Sequence, residues 1–299
     1  LNRRSTKIKS LINEFRYPRL GPGQMWEECT RLIEEKGGEV LLNHRVEGVV
    51  VEGDRVTGLR VETPEGSKTF EGEHVISSMP VRTLVKILET EVPDDLLESS
   101  QSLRYRDFLT VALILDEPDL FPDNWIYIHT PGVKVGRIQN FNNWSQAMVP
   151  DAGHTCLGLE YFCFEGDGLW TSPDEELIEL AKRELGALGL GDPDRVVDGT
   201  VVRMPKAYPV YDTTYRDHLQ AARQVLDPIS NLHPVGRNGM HKYNNQGHSM
   251  LTAMMVVWNM QGADHDVWEV NTDFEYHEEM RRESAADEGE RRRLVAAGE

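Results

Sequence analysis

The segment "VGRNGMHKYNNQGHSM" (residues 235–250) combines residue types that can bind an electron-rich ligand. Arg237 supplies a planar fork of N–H donors suited to phosphate or carboxylate, and it follows the flexible Gly236. An apolar helix is predicted to begin near Asn245, so free backbone N–H groups and the positive end of a helix dipole meet there. Gly247 lets a flat ligand approach the backbone closely. The segment predicts a ligand site, but an ordinary strand–loop–helix connection capped by Asn245 explains it equally well.

Two other stretches carry candidate site residues. Tyr208 and Tyr211, in "AYPVYD", are candidates for the walls of a cavity, because aromatic rings exclude water and orient a flat substrate. Core aromatics at a strand exit are the alternative. The segment "GRIQNFNNWS" offers a further set that either lines the same cavity or forms an exposed loop: Arg137, Asn142, Asn143 and Trp144.

His241 and Lys242 could carry protons beside a ligand, or they could be polar neighbours of the site, so no general base is assigned. The ten histidines form no metal-ligand spacing, and the three cysteines form no C-x-x-C pair, which leaves a metal site unsupported. Reduced thiols and a cytoplasmic location are therefore expected.

The periodicity of apolar residues predicts the elements that must position these side chains. Residues 24–36 read as a helix that ends at Gly37–Gly38, and residues 39–80 read as strand, hairpin and strand. From 81 to 233, longer alternating strands around one helix predict a second domain, a sheet with helices on one face. The chain then returns as a strand that ends at Gly236–Arg237, followed by a buried helix.

Composition limits the classes of partner. The chain has 299 residues, 39% of them apolar, and a formal net charge of −18, so it can form a sizeable core and is a poor candidate for nucleic-acid binding. Its longest apolar run, Met250 to Trp258, is shorter than the roughly 20 residues that a bilayer span needs. We expect a globular protein with a small-molecule substrate.

Four segments resemble the FAD-dependent amine oxidase-like flavoproteins, the group that includes protoporphyrinogen oxidase-like oxidoreductases and UDP-galactopyranose mutases. The resemblance spans residues 1 to about 262. Its segments are "YPRLGPGQMWEECTRLIEEKGGEVLLNHRVEGVVVEGDRVTGLRV", "HVISSMP", "VRMPKAYPVYD" and "GRNGMHKYNNQGHSM". It implies an α/β, mixed α+β fold: a discontinuous, partial FAD/NAD(P)-binding Rossmann-like domain with an inserted substrate domain of mixed β-sheet and helices.

The resemblance also implies roles for individual residues. Val46 matches the position whose backbone meets the adenine of FAD, and Ser77 and Ser78 match the strand end beside the cofactor. Gly236 and Arg237 match the Gly-Arg pair near the flavin. The start of the last helix matches the segment that faces the ribityl chain and the pyrimidine edge of the ring: Gln246, Gly247 and His248. In mutase-type relatives Arg237 and Tyr243 match residues that bind a diphosphate. Tyr208 and Tyr211 match residues that line the cavity over the flavin ring.

The sequence departs from the family in two ways. An acidic residue usual near the start of the last helix is replaced by Gly247, and no G-x-G-x-x-G unit is present, since "GPGQMW" lacks the third glycine and follows no strand. We therefore expect part of a longer flavoprotein. The expected domains are a partial FAD-binding domain at 16–80 and 231–262, a substrate-binding domain at 81–230, and a charged tail at 263–299.

Three functions remain open at this point. The first is an FAD-dependent oxidoreductase that takes a hydride from an organic substrate in an interdomain cavity. The second is an isomerase of the UDP-galactopyranose mutase type, which uses reduced FAD and needs a second arginine for the diphosphate. The third is a non-catalytic substrate-domain fragment. The substrate, the electron acceptor and the oligomeric state do not follow from the sequence.

Overall fold

A computed structural model describes residues 16–271, and the residues from Pro18 onward form one compact unit. Of the predicted tail at 263–299, the part from residue 272 lies outside the described residues. The eight helices described are α1 (Gly23–Glu35), α2 (Val81–Lys86), α3 (Asp94–Gln101), α4 (Phe141–Trp144), α5 (Asp174–Leu188), α6 (Tyr215–Leu226), α7 (Gly236–Gly239) and α8 (Gln246–Met260). None of these helices is long and apolar enough to cross a bilayer.

The strands described form three separate sheets. They are β1 (Arg45–Glu52), β2 (Arg55–Thr63), β3 (Gly66–Phe70), β4 (Val75–Ser77), β5 (Leu88–Glu89), β6 (Tyr105–Leu115), β7 (Trp125–Tyr127), β8 (Arg137–Asn140), β9 (Thr155–Cys163), β10 (Val196–Pro209) and β11 (Leu232–Pro234). Their orders are β3-β2-β1-β5, β10-β6-β9-β8-β7 and β11-β4. The chain therefore has the predicted mixed α/β fold.

The five-stranded sheet is antiparallel throughout and has two different faces. Every second residue of β6 is buried, as expected when one face of a sheet covers a core. That face carries Leu109, Val111 and Leu113 and packs with the buried Leu177 and Leu185 of α5. The opposite face carries aromatic and charged side chains, and it contributes to the site described below.

The four-stranded sheet shares a second core with α2, α3 and α6. Its valines, including Val49 and Val56, pack with Leu84 of α2 and Leu226 of α6. This core therefore includes residues on both sides of the expected boundary near residue 80. The domain boundaries remain a prediction.

The third sheet is a short parallel pair that leads into the segment 235–250. The sequence predicted that this strand would end at Gly236–Arg237, but β11 ends at Pro234 and α7 begins at Gly236. The reason is the left-handed backbone of Gly236, with φ of +78°. Its N–H donates to the Thr252 hydroxyl of α8 at 3.0 Å, which fixes the turn against the last helix.

The chain remains attached to the fold after α8. Val267–Glu269 form a short 3₁₀ turn, and Val270 is buried. The Lys242 ammonium donates to the carbonyls of Val270, at 3.0 Å, and Trp268. Residues 264–271 thus pack against the loop between α7 and α8.

Candidate functional site

The end of β4 and the helix α7 meet at very short range. The Ser77 carbonyl accepts a hydrogen bond from the Val235 N–H at 2.9 Å. A Cβ at Gly239 would lie 2.7 Å from that same carbonyl oxygen, so the approach requires a glycine. The Ser77 hydroxyl is buried without a hydrogen-bond partner among residues 16–271, whereas Ser78 is exposed. The strand end thus presents one unsatisfied buried polar group.

Helix α8 begins with a capping box. The Asn245 side chain accepts from the His248 N–H at 2.9 Å, and the His248 ring lies 3.4 Å from the Asn245 N–H. Desolvation lowers the pKa of His248. The N–H groups of Gln246 and Gly247, both exposed, find no acceptor in the described part of the chain. The cap that the sequence suggested is therefore present, and it leaves the first two amides of the helix available.

Arg237 extends from α7 into a cluster of tyrosines. Its guanidinium carbon lies 4.7 Å from the ring centre of Tyr208 and 4.5 Å from that of Tyr243. These two rings stack with their centres 5.5 Å apart. One Nη donates to the Asn244 carbonyl at 3.2 Å, but Nε and the other Nη are buried without an acceptor within residues 16–271. Buried donors of this kind normally have partners, so Arg237 fits a bound anion.

A second arginine reaches the same cluster from the sheet. Arg137 of β8 donates from Nη2 to the Tyr208 hydroxyl at 2.9 Å, and it forms a buried ion pair with Glu160 of β9. Its guanidinium also lies 4.9 Å from the ring centre of Trp125 and 4.8 Å from that of Phe162. These contacts hold Arg137 in one orientation beside Tyr208.

Tyr211 links the cluster to the neighbouring helix. Its hydroxyl accepts a hydrogen bond from the Tyr243 N–H at 2.7 Å, and its ring stacks on Tyr215 with centres 4.5 Å apart. Burial raises the pKa of Tyr211, so its hydroxyl stays protonated. The four residues proposed for substrate binding, Arg237, Tyr208, Tyr211 and Tyr243, therefore lie together. With Arg137 and Glu160 they are called the arginine–tyrosine cluster below.

His241 and Lys242 differ in their surroundings. His241 is completely buried, packs edge-on against Tyr105 and has a left-handed φ of +47°. Burial lowers the pKa of His241 to about 4, so the ring is neutral near pH 7. Burial also lowers the pKa of Lys242, whose ammonium binds the carbonyls of residues 268 and 270. Lys242 thus has a structural partner, and His241 is a buried neighbour of the tyrosines.

The remaining candidates lie in other surroundings. Val46 of β1 pairs with Val61 of β2 and packs against the core of the four-stranded sheet. The side chain of Asn142 bonds the His154 carbonyl at 2.8 Å and the Cys156 N–H at 3.0 Å. Asn143 bonds two loop carbonyls, those of residues 121 and 123, and Trp144 ends α4. The two asparagines thus anchor loops around α4.

Glu160 and Gly239 lie in the candidate site but were not predicted from the sequence. Glu160 is a single acid inside the apolar strand "TCLGLEYFC", a pattern that indicates a buried and therefore paired carboxylate. Gly239 follows Arg237 by two residues, but its closeness to Ser77 depends on how α7 folds back onto β4. Only the first of the two had a sequence signal.

The residues at the start of α8 and around Arg237 fit a flavin. The available groups are all hydrogen-bond donors or can act as donors: the amides of Gln246 and Gly247 and the Ser77 hydroxyl. A flavin offers electron-rich oxygens and ring nitrogens, which such donors satisfy. Gly247 leaves room above the backbone, since its only neighbour within 4 Å is the Asn245 side-chain oxygen at 3.4 Å. For a metal, by contrast, residues 16–271 contain no group of three suitable ligands.

Comparison with sequence families matches residues 18–246 to the flavin containing amine oxidoreductases. The chain belongs to this family. The match covers more than half of the chain and confirms the resemblance inferred from the four segments. It also establishes a flavin-linked enzyme family, which acts on small molecules. No curated protein matches the chain.

Three solved structures have a similar fold. Reduced UDP-galactopyranose mutase superposes with a TM-score of 0.73 at 18% identity, over 86% of this chain and 55% of that chain. A protein from Exiguobacterium sp. 255-15, provisionally assigned as a protoporphyrinogen oxidase, gives 0.59 at 18% identity, over 81% and 51%. An oxidoreductase from Methanosarcina mazei gives 0.52 at 15% identity, over 79% and 54%. The chain thus spans about half the length of these structures.

Proposed function

We propose that the chain contributes to a flavin-dependent oxidoreductase whose cofactor is FAD. FAD, when bound, accepts a hydride from an organic substrate. The proposed cofactor contacts are Val46 near the adenine, the strand end Ser77–Ser78, Gly236–Arg237, and the helix start Gln246–His248. The family match supports a flavin, and the free amides of Gln246 and Gly247 support an electron-rich ring at that helix start.

The single observation that carries the proposal is the state of Arg237. Two of its nitrogens, Nε and one Nη, are buried without acceptors in the described chain, and its guanidinium lies against two tyrosine rings. Burying such donors without a partner is costly, so a bound carboxylate or phosphate is the natural complement. We propose that the substrate carries such a group, and that Tyr208, Tyr211 and Tyr243 exclude water around it.

An isomerase of the UDP-galactopyranose mutase type is the second candidate. The observation that favours it is that Arg137 and Arg237 both contact Tyr208. Together they supply two guanidinium groups for one diphosphate. The fold shared with reduced UDP-galactopyranose mutase is compatible with this reading. However, Glu160 already pairs with Arg137, and this ion pair weakens the attraction of Arg137 for a second anion.

Two experiments on the flavin-loaded protein separate these functions. The oxidised protein is mixed without oxygen with a panel of amines and other reduced organic compounds that carry a carboxylate or phosphate. Loss of the visible flavin absorbance supports hydride transfer. The protein reduced with dithionite is incubated with UDP-galactopyranose, and a new sugar isomer supports the mutase. A chain that binds flavin and does neither supports a non-catalytic role, the third possibility.

We also propose a cytoplasmic location, which the three free cysteines support.

A further inference from the structure

A groove beside the arginine–tyrosine cluster carries a second concentration of positive charge. Its volume is about 330 Å³, and the residues that line it include Arg82, Arg104, Asp107, Phe164, Glu165 and Lys206. The three cations come from three separate parts of the chain: helix α2, the start of β6 and a bulge in β10. Such convergence is unexpected in a chain of net charge −18, where scattered cations would be neutralised by neighbouring acids.

The cations of the groove are only partly satisfied by the protein. The Arg104 guanidinium is exposed, makes no hydrogen bond within residues 16–271 and lies 5.8 Å from the ring centre of Phe164. Its charge also acts on Asp212, whose pKa is lowered mainly by hydrogen bonds from Thr214 and to a lesser extent by Arg104. Arg82 uses one Nη to bond the Leu103 carbonyl at 2.8 Å. The Lys206 ammonium lies 3.9 Å from a carboxylate oxygen of Glu165, whose side chain is 61% exposed and free to turn into solvent.

The second acid of the groove holds the backbone. Each oxygen of the buried Asp107 carboxylate accepts one N–H, from Glu165 at 2.6 Å and from Lys206 at 2.5 Å. Lys206 has a left-handed φ of +54°, which a lysine rarely adopts. Such strained residues persist where the surroundings impose them, and they concentrate at ligand sites. Asp107 therefore fixes the bulge that directs Lys206 into the groove.

An exposed aromatic ring forms one wall. Phe164 is 40% exposed, and both Arg104 and Arg106 lie against it, Arg106 at 5.7 Å from its ring centre. Exposed aromatic rings beside arginines stack well on planar ligands, because the ring supplies contact area and the cations supply charge. The groove thus combines a partly exposed aromatic ring, which already interacts with two guanidinium groups, with the cations of Arg82, Arg104 and Lys206.

We infer that this groove binds a small molecule with a phosphate group next to a planar ring, at a site separate from the arginine–tyrosine cluster. Arg82, Arg104 and Lys206 bind the phosphate, and Phe164 stacks on the ring. This inference does not depend on the proposed flavin chemistry, because none of these residues belongs to the proposed FAD or substrate contacts.

The test uses calorimetric titration with two probes, inorganic pyrophosphate and AMP. The double variant Arg104→Gln/Lys206→Asn removes two charges, and asparagine tolerates the left-handed backbone at 206. The control Arg31→Gln/Lys68→Gln removes two exposed charges elsewhere. We expect the groove variant to weaken binding of both probes at least about fivefold relative to the control. Equal affinities in the two double variants would overturn the inference.

Two further variants assign the parts of the site. Phe164→Leu is expected to weaken AMP binding and leave pyrophosphate binding unchanged; an unchanged AMP affinity would contradict stacking on the ring. Arg237→Gln should still bind pyrophosphate and AMP in the groove, whereas Arg104→Gln/Lys206→Asn should lose that binding. If Arg237→Gln abolishes all pyrophosphate binding, the groove is not a separate site. Flavin retention, measured on the same samples, reports independently on the proposed function.

Discussion

Arg137 and Arg237 meet at one side chain: Arg137 donates to the Tyr208 hydroxyl at 2.9 Å, and the Arg237 guanidinium lies 4.7 Å from the Tyr208 ring centre. Both guanidinium groups are positively charged and contact the same residue, and the buried Glu160 carboxylate, paired with Arg137, offsets one of the two charges. The cluster therefore keeps about one positive charge for an anion. This balance leads to the first two predictions.

Glu160→Gln should destabilise the protein by about 3 kcal/mol, because it leaves the Arg137 guanidinium buried without its counter-ion. The side chains of Arg137 and Glu160 are only 12% and 4% exposed, so water cannot solvate the guanidinium that has lost its counter-ion. Urea unfolding measures the change. The double variant Arg137→Met/Glu160→Gln should recover much of the loss, and a double variant as unstable as the single one would refute the explanation.

Arg237→Lys should weaken binding of an anionic substrate about 10- to 100-fold while leaving the fold intact. A lysine keeps the charge, but it lacks the planar fork that contacts both tyrosine rings and presents two parallel N–H groups. The KM for any substrate found in the screen measures the effect, and so does the dissociation constant for pyrophosphate when Arg237→Lys is made in the Arg104→Gln/Lys206→Asn background, where binding in the groove is weakened. An affinity unchanged within twofold would show that Arg237 does not bind the anion directly.

Gly239→Ala and Gly247→Ala form a matched pair. At Gly239 the new methyl group would lie 2.7 Å from the Ser77 carbonyl oxygen, so we expect a loss of about 1–3 kcal/mol in the free energy of unfolding. At Gly247 the nearest atom is 3.4 Å away, and alanine favours a helix, so stability should be unchanged or slightly higher. Gly247→Ala should instead weaken FAD binding by covering the helix amides. Equal stability of the two variants would contradict the described packing of α7 on β4.

The buried His241 should make stability fall in mild acid. The unfolded chain takes up a proton at this histidine below about pH 6.5, whereas the folded protein takes it up only near pH 4, because burial lowers the pKa of His241 to about 4. The free energy of unfolding should therefore fall as the pH falls from 6.5 to 4, by up to about 3 kcal/mol. His241→Gln should flatten this dependence, and His129→Gln, at an exposed site, should not. The same slope in both variants would exclude His241 as the cause.

Local patterns predicted much of the fold. The helix predicted at 24–36 is α1 at Gly23–Glu35, and the cap predicted at Asn245 is present. Both predictions are confirmed because both features depend on residues close in sequence. The end of β11 was predicted two residues or more too late, because the left-handed turn at Gly236 depends on its bond to Thr252 in α8. Contacts between distant segments are not visible in a local pattern.

The candidate site shows the same division. Arg237 and Tyr243 carry a sequence signal, and both lie in the arginine–tyrosine cluster. From the sequence, Arg137 belongs to a segment that either lines the cavity or forms an exposed loop, because its ion pair with Glu160 joins residues that are 23 positions apart on two different strands. Gly239 was missed for a similar reason, since its tight contact with Ser77 joins two segments more than 150 residues apart.

We propose above all that α8 and the Gly236–Arg237 turn hold a flavin. The most direct measurement is a visible-absorbance titration of the purified chain with FAD, after a desalting column has removed loosely bound cofactor. We expect the flavin to stay with the protein, its absorbance bands to shift on binding, and the Gly247→Ala variant to retain less of it. Flavin that elutes entirely in the small-molecule fraction, from a chain shown by circular dichroism to be folded, would contradict the claim.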